Sequence, residues 1–256
     1  MPIQLDRTEI KSEARSLIRT GTVSPIRMTL LLLAISLALS LVNSGVSYMV
    51  GESFRLAAIP FSFISILVSL VSLVLNAGYT CYCLGIHRRE HMPYESLFDA
   101  FSFAGKVILL SIVEGVFIFL WSMLFVVPGI IAAYRYSFAV MNLCRNPDLG
   151  VMEALNLSKQ QTFGYKWQLF VLQLSFIGWY LLAGAVAALY ELLIVALLPD
   201  SFLGIMFGTA IFALFSAVVD IYLTPYSELA VCGFYLRATA PQVNEPPHEE
   251  PWSGQF

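Results

Sequence analysis

The stretch FVVPGIIAAYRYSFAV, Phe125 to Val140, joins two apolar runs through a Pro-Gly pair and then places an arginine among aromatic and aliphatic neighbours. Proline lacks a backbone N–H and glycine readily adopts positive φ, so Pro128-Gly129 predicts a tight hairpin turn between two helices. An ionisable side chain such as Arg135 is costly in hydrocarbon and normally faces a partner or water. The stretch therefore predicts a helical hairpin in a membrane, with one polar group at depth.

The composition of the whole chain indicates the same solvent. Hydrophobic residues make up 58% of the 256 residues and charged residues 12%, about half the roughly 25% of an ordinary soluble protein. So few charges cannot cover so apolar a protein, and we expect a bilayer to surround most of it. The net charge of −3 offers nothing to a nucleic acid, and four cysteines are too few for a secreted disulfide framework.

Six apolar runs are long enough for transmembrane helices, which need about 20 residues each. A cleaved signal peptide is the alternative for the first run, but that run continues to Val50, which favours a retained helix. The sequence therefore predicts an all-α, multi-pass membrane protein whose six transmembrane helices form three hairpins. The predicted helices are Ile26–Val50, Ala57–Leu84, Val107–Val127, Ile130–Cys144, Trp167–Leu198 and Phe202–Leu236.

Most of the 14 lysines and arginines lie in alternate connections between these runs. The positive-inside rule assigns that side to the cytoplasm, so we expect both termini there. Each hairpin follows a cytoplasmic amphipathic segment, which gives an integral membrane domain of residues 1–238 with three units, about residues 1–90, 91–146 and 147–238. Such repeats are common in transporters and also occur in plain bundles. Residues 239–256, rich in proline and glutamate, are predicted to be a disordered acidic tail.

The first amphipathic segment carries the clearest pattern. Asp6-x-x-Glu9 resembles a capping box, and the apolar residues from Ile10 to Ile18 then fall on one helical face. We expect this helix to lie in the interface, apolar side in the acyl boundary and cations on anionic headgroups. The alternative is that the positive-inside bias alone explains the cations. The candidate anionic-lipid contacts recur every four residues: Arg7, Lys11, Arg15 and Arg19.

Two acidic residues are candidate partners for Arg135. Arg135 and Glu191 each lie about 10 Å from the predicted outer surface at 1.5 Å per residue, and Glu114 lies nearer the inner side. We expect an Arg135–Glu191 pair that fixes packing, or an Arg135 that snorkels outward. The functional alternative is an anion site or proton relay built from the same three residues. Asp220 and Glu228, in the sixth predicted helix, look too close to the cytoplasm to take part unless that helix is broken.

The sequence offers no recognisable catalytic or nucleotide-binding motif. Cys83, His87 and His91 are spaced four apart and could share a helical face, but Pro93 follows and a fourth ligand is not evident. We therefore expect no bound metal, no cofactor and no enzymatic activity.

Several blocks of the sequence resemble one family. They are LFDAF (97–101), LWSMLFVVPGIIAAYRYSFAV (120–140) and NPDLGVMEALNLSKQQTFGYKWQLFVLQLSFIGW (146–179), with IKSEARSLIRTG (10–21) and TPYSELAVCGFY (224–235) similar to its two ends. The family is the uncharacterised bacterial integral-membrane family called domain of unknown function nine hundred and seventy-five. The likeness covers about Glu9 to Arg237. It implies a multi-pass protein of a bacterial cytoplasmic membrane and supplies no catalytic residues.

Two classes of function fit these observations. The favoured one is a non-enzymatic membrane scaffold or accessory protein that binds anionic lipid and other membrane proteins. The alternative is a transporter or permease for a small, anionic or amphipathic solute. It requires a polar cavity that reaches the midplane and is lined by Arg135, Glu191 and Glu114.

Overall fold

A computed structural model describes residues 5–19, 23–50, 58–197 and 202–240, and omits the side chains of residues 44–50, 58–62, 183, 187, 190, 191, 194–197 and 202–216. The predicted tail beyond residue 240 lies outside the described residues. Within these ranges the chain is helical and contains no strand, as the sequence predicts. The elements are α1 (Arg7–Leu17), α2 (Pro25–Val50), α3 (Ala58–His87), a 3-10 segment (Tyr94–Phe103), α4 (Ala104–Leu124), α5 (Val126–Tyr136), α6 (Ala139–Arg145), α7 (Val151–Gln161), α8 (Lys166–Leu197) and α9 (Phe202–Thr239).

Five stretches of the described residues are long and apolar enough to cross a membrane. They match the first five predicted runs, whereas the sixth run lies in α9, much of whose side-chain structure is outside the described residues. Five of the six predicted spans therefore correspond to helices that could cross a membrane, and the sixth stays a prediction. The five stretches are Pro25–Asn43, Phe63–His87, Tyr94–Leu124, Val126–Arg145 and Lys166–Val186.

The predicted hairpin turn at Pro128-Gly129 is wrong in its position. The chain turns at Phe125, which adopts an extended conformation between α4 and α5. Pro128 instead lies in the first turn of α5, where its missing N–H costs nothing because that N–H would have no acceptor within the helix. Gly129 faces α4, and a Cβ there would overlap the Ser122 hydroxyl. The Pro-Gly pair therefore starts the second helix and lets it approach the first.

The fourth predicted span is two short helices rather than one. α5 ends at Tyr136 and α6 begins at Ala139, so the backbone between them needs partners outside its own helix. Ser158 of α7 supplies them, because its hydroxyl donates to the Arg135 carbonyl at 2.9 Å and accepts from the Phe138 N–H at 3.1 Å. Thr162 donates to the same Arg135 carbonyl at 3.2 Å. A helix break in an apolar stretch is thus satisfied by side chains from another helix.

α3 lies at the centre of the bundle and packs against α2, the 3-10 segment, α4, α6 and α9. Its Gly78 allows the 3-10 segment to lie directly on it, because a Cβ at Gly78 would overlap the Leu97 carbonyl oxygen. Leu97 is buried as a result, while Phe98 and Phe101 of the same segment are exposed. Of these three apolar residues, one faces protein and two face outward.

A disulfide joins Cys81 of α3 to Cys144 of α6, with 5.2 Å between the two Cα atoms. Cys83 and Cys232 are buried free thiols. The bond ties α6 to the central helix. The spacing of the cysteines along the sequence does not indicate this pairing, since the two partners lie on different helices.

The apolar face of α1 packs on protein, and the expectation that it enters the acyl boundary is wrong. Ile10, Ala14 and Ile18 are almost fully buried in the main core, together with residues of α3 and α9. Asp6 caps the helix by accepting from the Thr8 N–H at 2.8 Å. Glu9 does not complete the capping box, because its carboxylate pairs with Arg237 at 3.0 Å.

Candidate anionic-lipid site

An ion-pair cluster fixes α1 against α9. Arg237, near the end of α9, lies 2.9 Å from the Glu13 carboxylate and 3.0 Å from that of Glu9. The Nδ1 atom of His87, at the end of α3, lies 3.8 Å from Glu13, and its Nε2 lies 2.7 Å from the Leu229 carbonyl. One face of α1 is buried in the core, and the acidic residues of a second face pair with Arg237. These two sets of contacts fix the direction in which the third face of α1 points.

That third face carries Lys11 and Arg15, one helical turn apart. The Lys11 ammonium lies 5.2 Å from the centre of the Phe176 ring on α8, and the Arg15 guanidinium lies 5.9 Å from that of Tyr226 on α9. Both distances are in the range of cation–π attraction, which holds the cations toward the groove between α8 and α9.

A crevice of about 390 Å³ lies beneath these two cations. Its cationic mouth belongs to α1 and its walls belong to α8 and α9. The wall residues are apolar or aromatic with two kinds of hydroxyl group, so the crevice offers both a surface for hydrocarbon and polar groups near its mouth. Its lining residues, besides Lys11 and Arg15, are Ser175, Phe176, Trp179, Val219, Tyr222, Leu223 and Tyr226.

The two cations of the crevice have no acidic partner among the described residues. Burial lowers the pKa of Lys11, and the positive charges of Arg7 and Arg15 lower it further. Within the part of the chain that the structure describes, neither Lys11 nor Arg15 forms an ion pair; the four ion pairs there involve His87, Arg88 and Arg237. An anion at the mouth would offset the repulsion between these cations, as a phosphate does between basic side chains.

The four predicted lipid contacts therefore fall into two pairs. Lys11 and Arg15 line the crevice, whereas Arg7 and Arg19 are exposed and do not line it. The spacing of four predicts one side of the helix for all four cations; Arg19 lies beyond the end of α1, and Lys11 and Arg15 are the two that line the crevice.

Arg135 has no acidic partner among the side chains that the structure describes. Its guanidinium lies 6.0 Å from the Trp121 ring, and its buried Nε has no hydrogen-bond partner among the described residues. A small cavity of about 150 Å³ adjoins it, lined by Trp121, Pro128, Ile131 and Ala132. Glu114 makes no ion pair with Arg135. The side chain of Glu191 is outside the described residues, so the preferred Arg135–Glu191 pair stays a prediction.

The spacing of Cys83, His87 and His91 does not produce a metal site. Cys83 is fully buried, and the His87 Nε2 forms a hydrogen bond with the Leu229 carbonyl at 2.7 Å. Across the described ranges, no group of three His, Cys, Asp or Glu side chains could hold a metal ion.

Sequence reasoning missed the aromatic half of the lipid site: Phe176, Trp179, Tyr222 and Tyr226. A signal was available, because Trp and Tyr concentrate at membrane–water interfaces. Recognising it required knowing that α1 crosses the ends of α8 and α9, which the local sequence does not encode.

The fold and this site define a class: an all-helical protein with several helices able to span a membrane and a basic helix packed on them. The sequence model of the family described as Protein of unknown function (DUF975) matches residues 124–242 of the chain. The resemblance drawn from the sequence is thereby confirmed for α5 to α9. Neither the curated proteins nor the solved structures contain a match to the chain.

Proposed function

We propose that this protein is a non-enzymatic membrane protein that binds an anionic phospholipid in the crevice between α8 and α9, and that it serves as a scaffold or accessory protein for other membrane proteins. The observation that carries the lipid assignment is the position of Lys11 and Arg15 over an aromatic-lined crevice, without acidic partners among the described residues.

The chemistry of the crevice matches the two ends of a phospholipid. Lys11 and Arg15 would hold the phosphate by charge-assisted hydrogen bonds. Trp179, Tyr222 and Tyr226 have the amphipathic rings that favour the headgroup level, and the apolar walls accept an acyl chain. The location that this arrangement fits is the cytoplasmic leaflet of a bacterial plasma membrane, with both termini inside, where anionic lipids attract basic segments.

The test uses Trp179 as a reporter, since it lines the crevice. A single-tryptophan protein, made with Trp121→Phe, Trp167→Phe and Trp252→Phe, is purified in detergent and titrated with brominated phosphatidylglycerol or brominated phosphatidylcholine. We expect the anionic lipid to quench Trp179 fluorescence at a lower mole fraction than the zwitterionic lipid.

Two double variants of equal charge separate the site from general attraction. Each basic residue near a membrane surface contributes about 1 kcal/mol, so Lys11→Gln with Arg15→Gln should remove about 2 kcal/mol, or about thirtyfold in affinity. Arg7→Gln with Arg19→Gln should keep the preference for anionic lipid. If both double variants lose it equally, the crevice is not the site. If inorganic phosphate displaces the lipid completely, the ligand is a small soluble anion instead.

A further inference from the structure

A second and larger cavity, open on one side, lies in a cleft between the helices, apart from the lipid crevice. Its volume is about 720 Å³, within the range of small-molecule sites, and none of its lining residues belongs to α1. It touches α3, α4, the junction of α5 and α6, α8 and α9, and so borders four of the five candidate spans. The cavity is independent of Lys11 and Arg15.

One wall of the cavity is a polar stripe on α3. Ser69, Ser72, Asn76 and Thr80 follow one another at intervals of three or four residues, which places them on one face of the helix. Ser72 and Asn76 lie near the middle of the candidate span Phe63–His87. Polar side chains at that depth are costly against lipid, and here they face the cavity.

The stripe offers the cavity more acceptors than donors. The Ser69 and Ser72 hydroxyls each donate to a carbonyl one turn earlier at 2.9 Å, and the Asn76 amide donates to the Ser72 carbonyl at 2.7 Å. These bonds use donor hydrogens and leave the hydroxyl lone pairs and the Asn76 carbonyl oxygen unengaged. A ligand with N–H or positive character complements such a wall.

A residue of α9 supplies the charge. Glu228 lines the cavity, and its carboxylate makes no hydrogen bond or ion pair with the described residues. Gln173 of α8 also lines the cavity. No lysine or arginine is among the lining residues that the structure describes, and Arg135 and Glu114 are not among them either.

Two further serines, Ser111 and Ser137, line the cavity. The other lining side chains are apolar, including Val68, Leu73, Val107 and Met141. We propose that this cavity is a binding site for a small amphipathic organic cation, such as a protonated primary amine, whose charge the Glu228 carboxylate neutralises and whose apolar part packs on these side chains. The site supports the transporter alternative in a changed form, because its charge selects cations rather than anions.

The test is a charge series of one shape: phenethylammonium, 2-phenylethanol and phenylacetate. Binding to the full-length protein in detergent is measured by isothermal titration calorimetry. We expect phenethylammonium to bind most tightly and phenylacetate least. Equal affinity for all three, or no saturable binding of phenethylammonium at millimolar concentration, overturns the proposal, and this comparison needs only the unaltered protein.

Variants then assign the charge to its residue. Glu228→Gln should weaken phenethylammonium binding about thirtyfold, the lower end of the loss expected when one member of a buried charge pair is removed, and leave 2-phenylethanol unchanged. Glu114→Gln is the matched control, since Glu114 is a partly buried acid of α4 outside the cavity, and it should bind as the unaltered protein does. A cation preference that survives Glu228→Gln, or that Glu114→Gln also removes, contradicts the assignment.

Discussion

Arg237 and Glu13 lie 2.9 Å apart although 224 residues separate them in the sequence. Their contact joins the last helix to the first and points the Lys11–Arg15 face of α1 at the crevice. The proposed lipid site therefore depends on an ion pair that does not line it.

We expect Arg237→Gln to loosen α1 without unfolding the bundle. The paired carboxylates are well exposed, at 42% for Glu13 and 65% for Glu9, so the loss should be at most about 1 kcal/mol. Hydrogen exchange of the α1 amides should accelerate by up to about fivefold, while α3 is unaffected. Arg89→Gln, which removes one exposed cation elsewhere, is the control. Equal acceleration in both variants would show that general charge, not this contact, holds α1.

Lipid affinity should depend on pH through Lys11. Its lowered pKa means that Lys11 loses its charge at a lower pH than an ordinary lysine, as pH rises. Affinity for anionic lipid should therefore be constant at neutral pH and fall in the alkaline range before ordinary lysines titrate. Lys11→Arg should keep the neutral-pH affinity and remove this fall, because arginine stays protonated. The measurement is the brominated-lipid titration repeated across pH, and an alkaline fall that persists in Lys11→Arg would contradict the role of Lys11.

Ser158→Ala should destabilise the protein through the break between α5 and α6. The buried Phe138 N–H would lose its acceptor, at a cost of about 1–3 kcal/mol, while Thr162 still donates to the Arg135 carbonyl. Thermal unfolding in detergent measures the effect. Ser102→Ala removes a comparable but exposed hydroxyl bond and should change stability little. A Ser158→Ala protein as stable as the Ser102→Ala protein would show that the break needs no partner.

Gly78→Ala should also destabilise, for a steric reason. The added Cβ would overlap the Leu97 carbonyl, so the 3-10 segment would have to move off α3, at about 1–3 kcal/mol for an overpacked site. Gly115→Ala in α4 meets no atom within 4 Å and should be neutral or stabilising by up to about 1 kcal/mol. In the same detergent, the unfolding temperature of Gly78→Ala should therefore fall, whereas that of Gly115→Ala should stay the same or rise.

The helices were predictable because an apolar run of about 20 residues by itself indicates a helix that can span a bilayer. The fourth apolar run, Ile130–Cys144, was also recognised as one span, but its division at Ser137 was not. That break depends on the Ser158 hydroxyl, which comes from a different helix, so no local pattern in the span contains it. Likewise, the turn was assigned to Pro128-Gly129 because those residue types favour turns. Proline is equally at home in the first turn of a helix, and the structure uses it there.

The candidate sites divide in the same way. The spacing of the four cations was visible in the sequence. Which two of them line the crevice was not visible, because that depends on where α8 and α9 pack against α1. The polar stripe on α3 was readable from its intervals of three and four, but Ser, Asn and Thr in an apolar helix drew less notice than Arg135 did. Glu228 was set aside because it lies close to the predicted cytoplasmic end of its helix. Its position along the helix does not show that it lines a cavity together with residues of α3.

The bond between Cys81 and Cys144 closes a covalent ring that contains the 3-10 segment, α4, α5 and most of α6. A protease cut anywhere inside this ring leaves both pieces attached, and they part only when the disulfide is reduced. The ring can therefore report sidedness in intact cells or oriented vesicles. A protease site engineered into the ring, followed by a membrane-impermeant phosphine applied from one face, releases fragments only when that face gives access to the sulfurs.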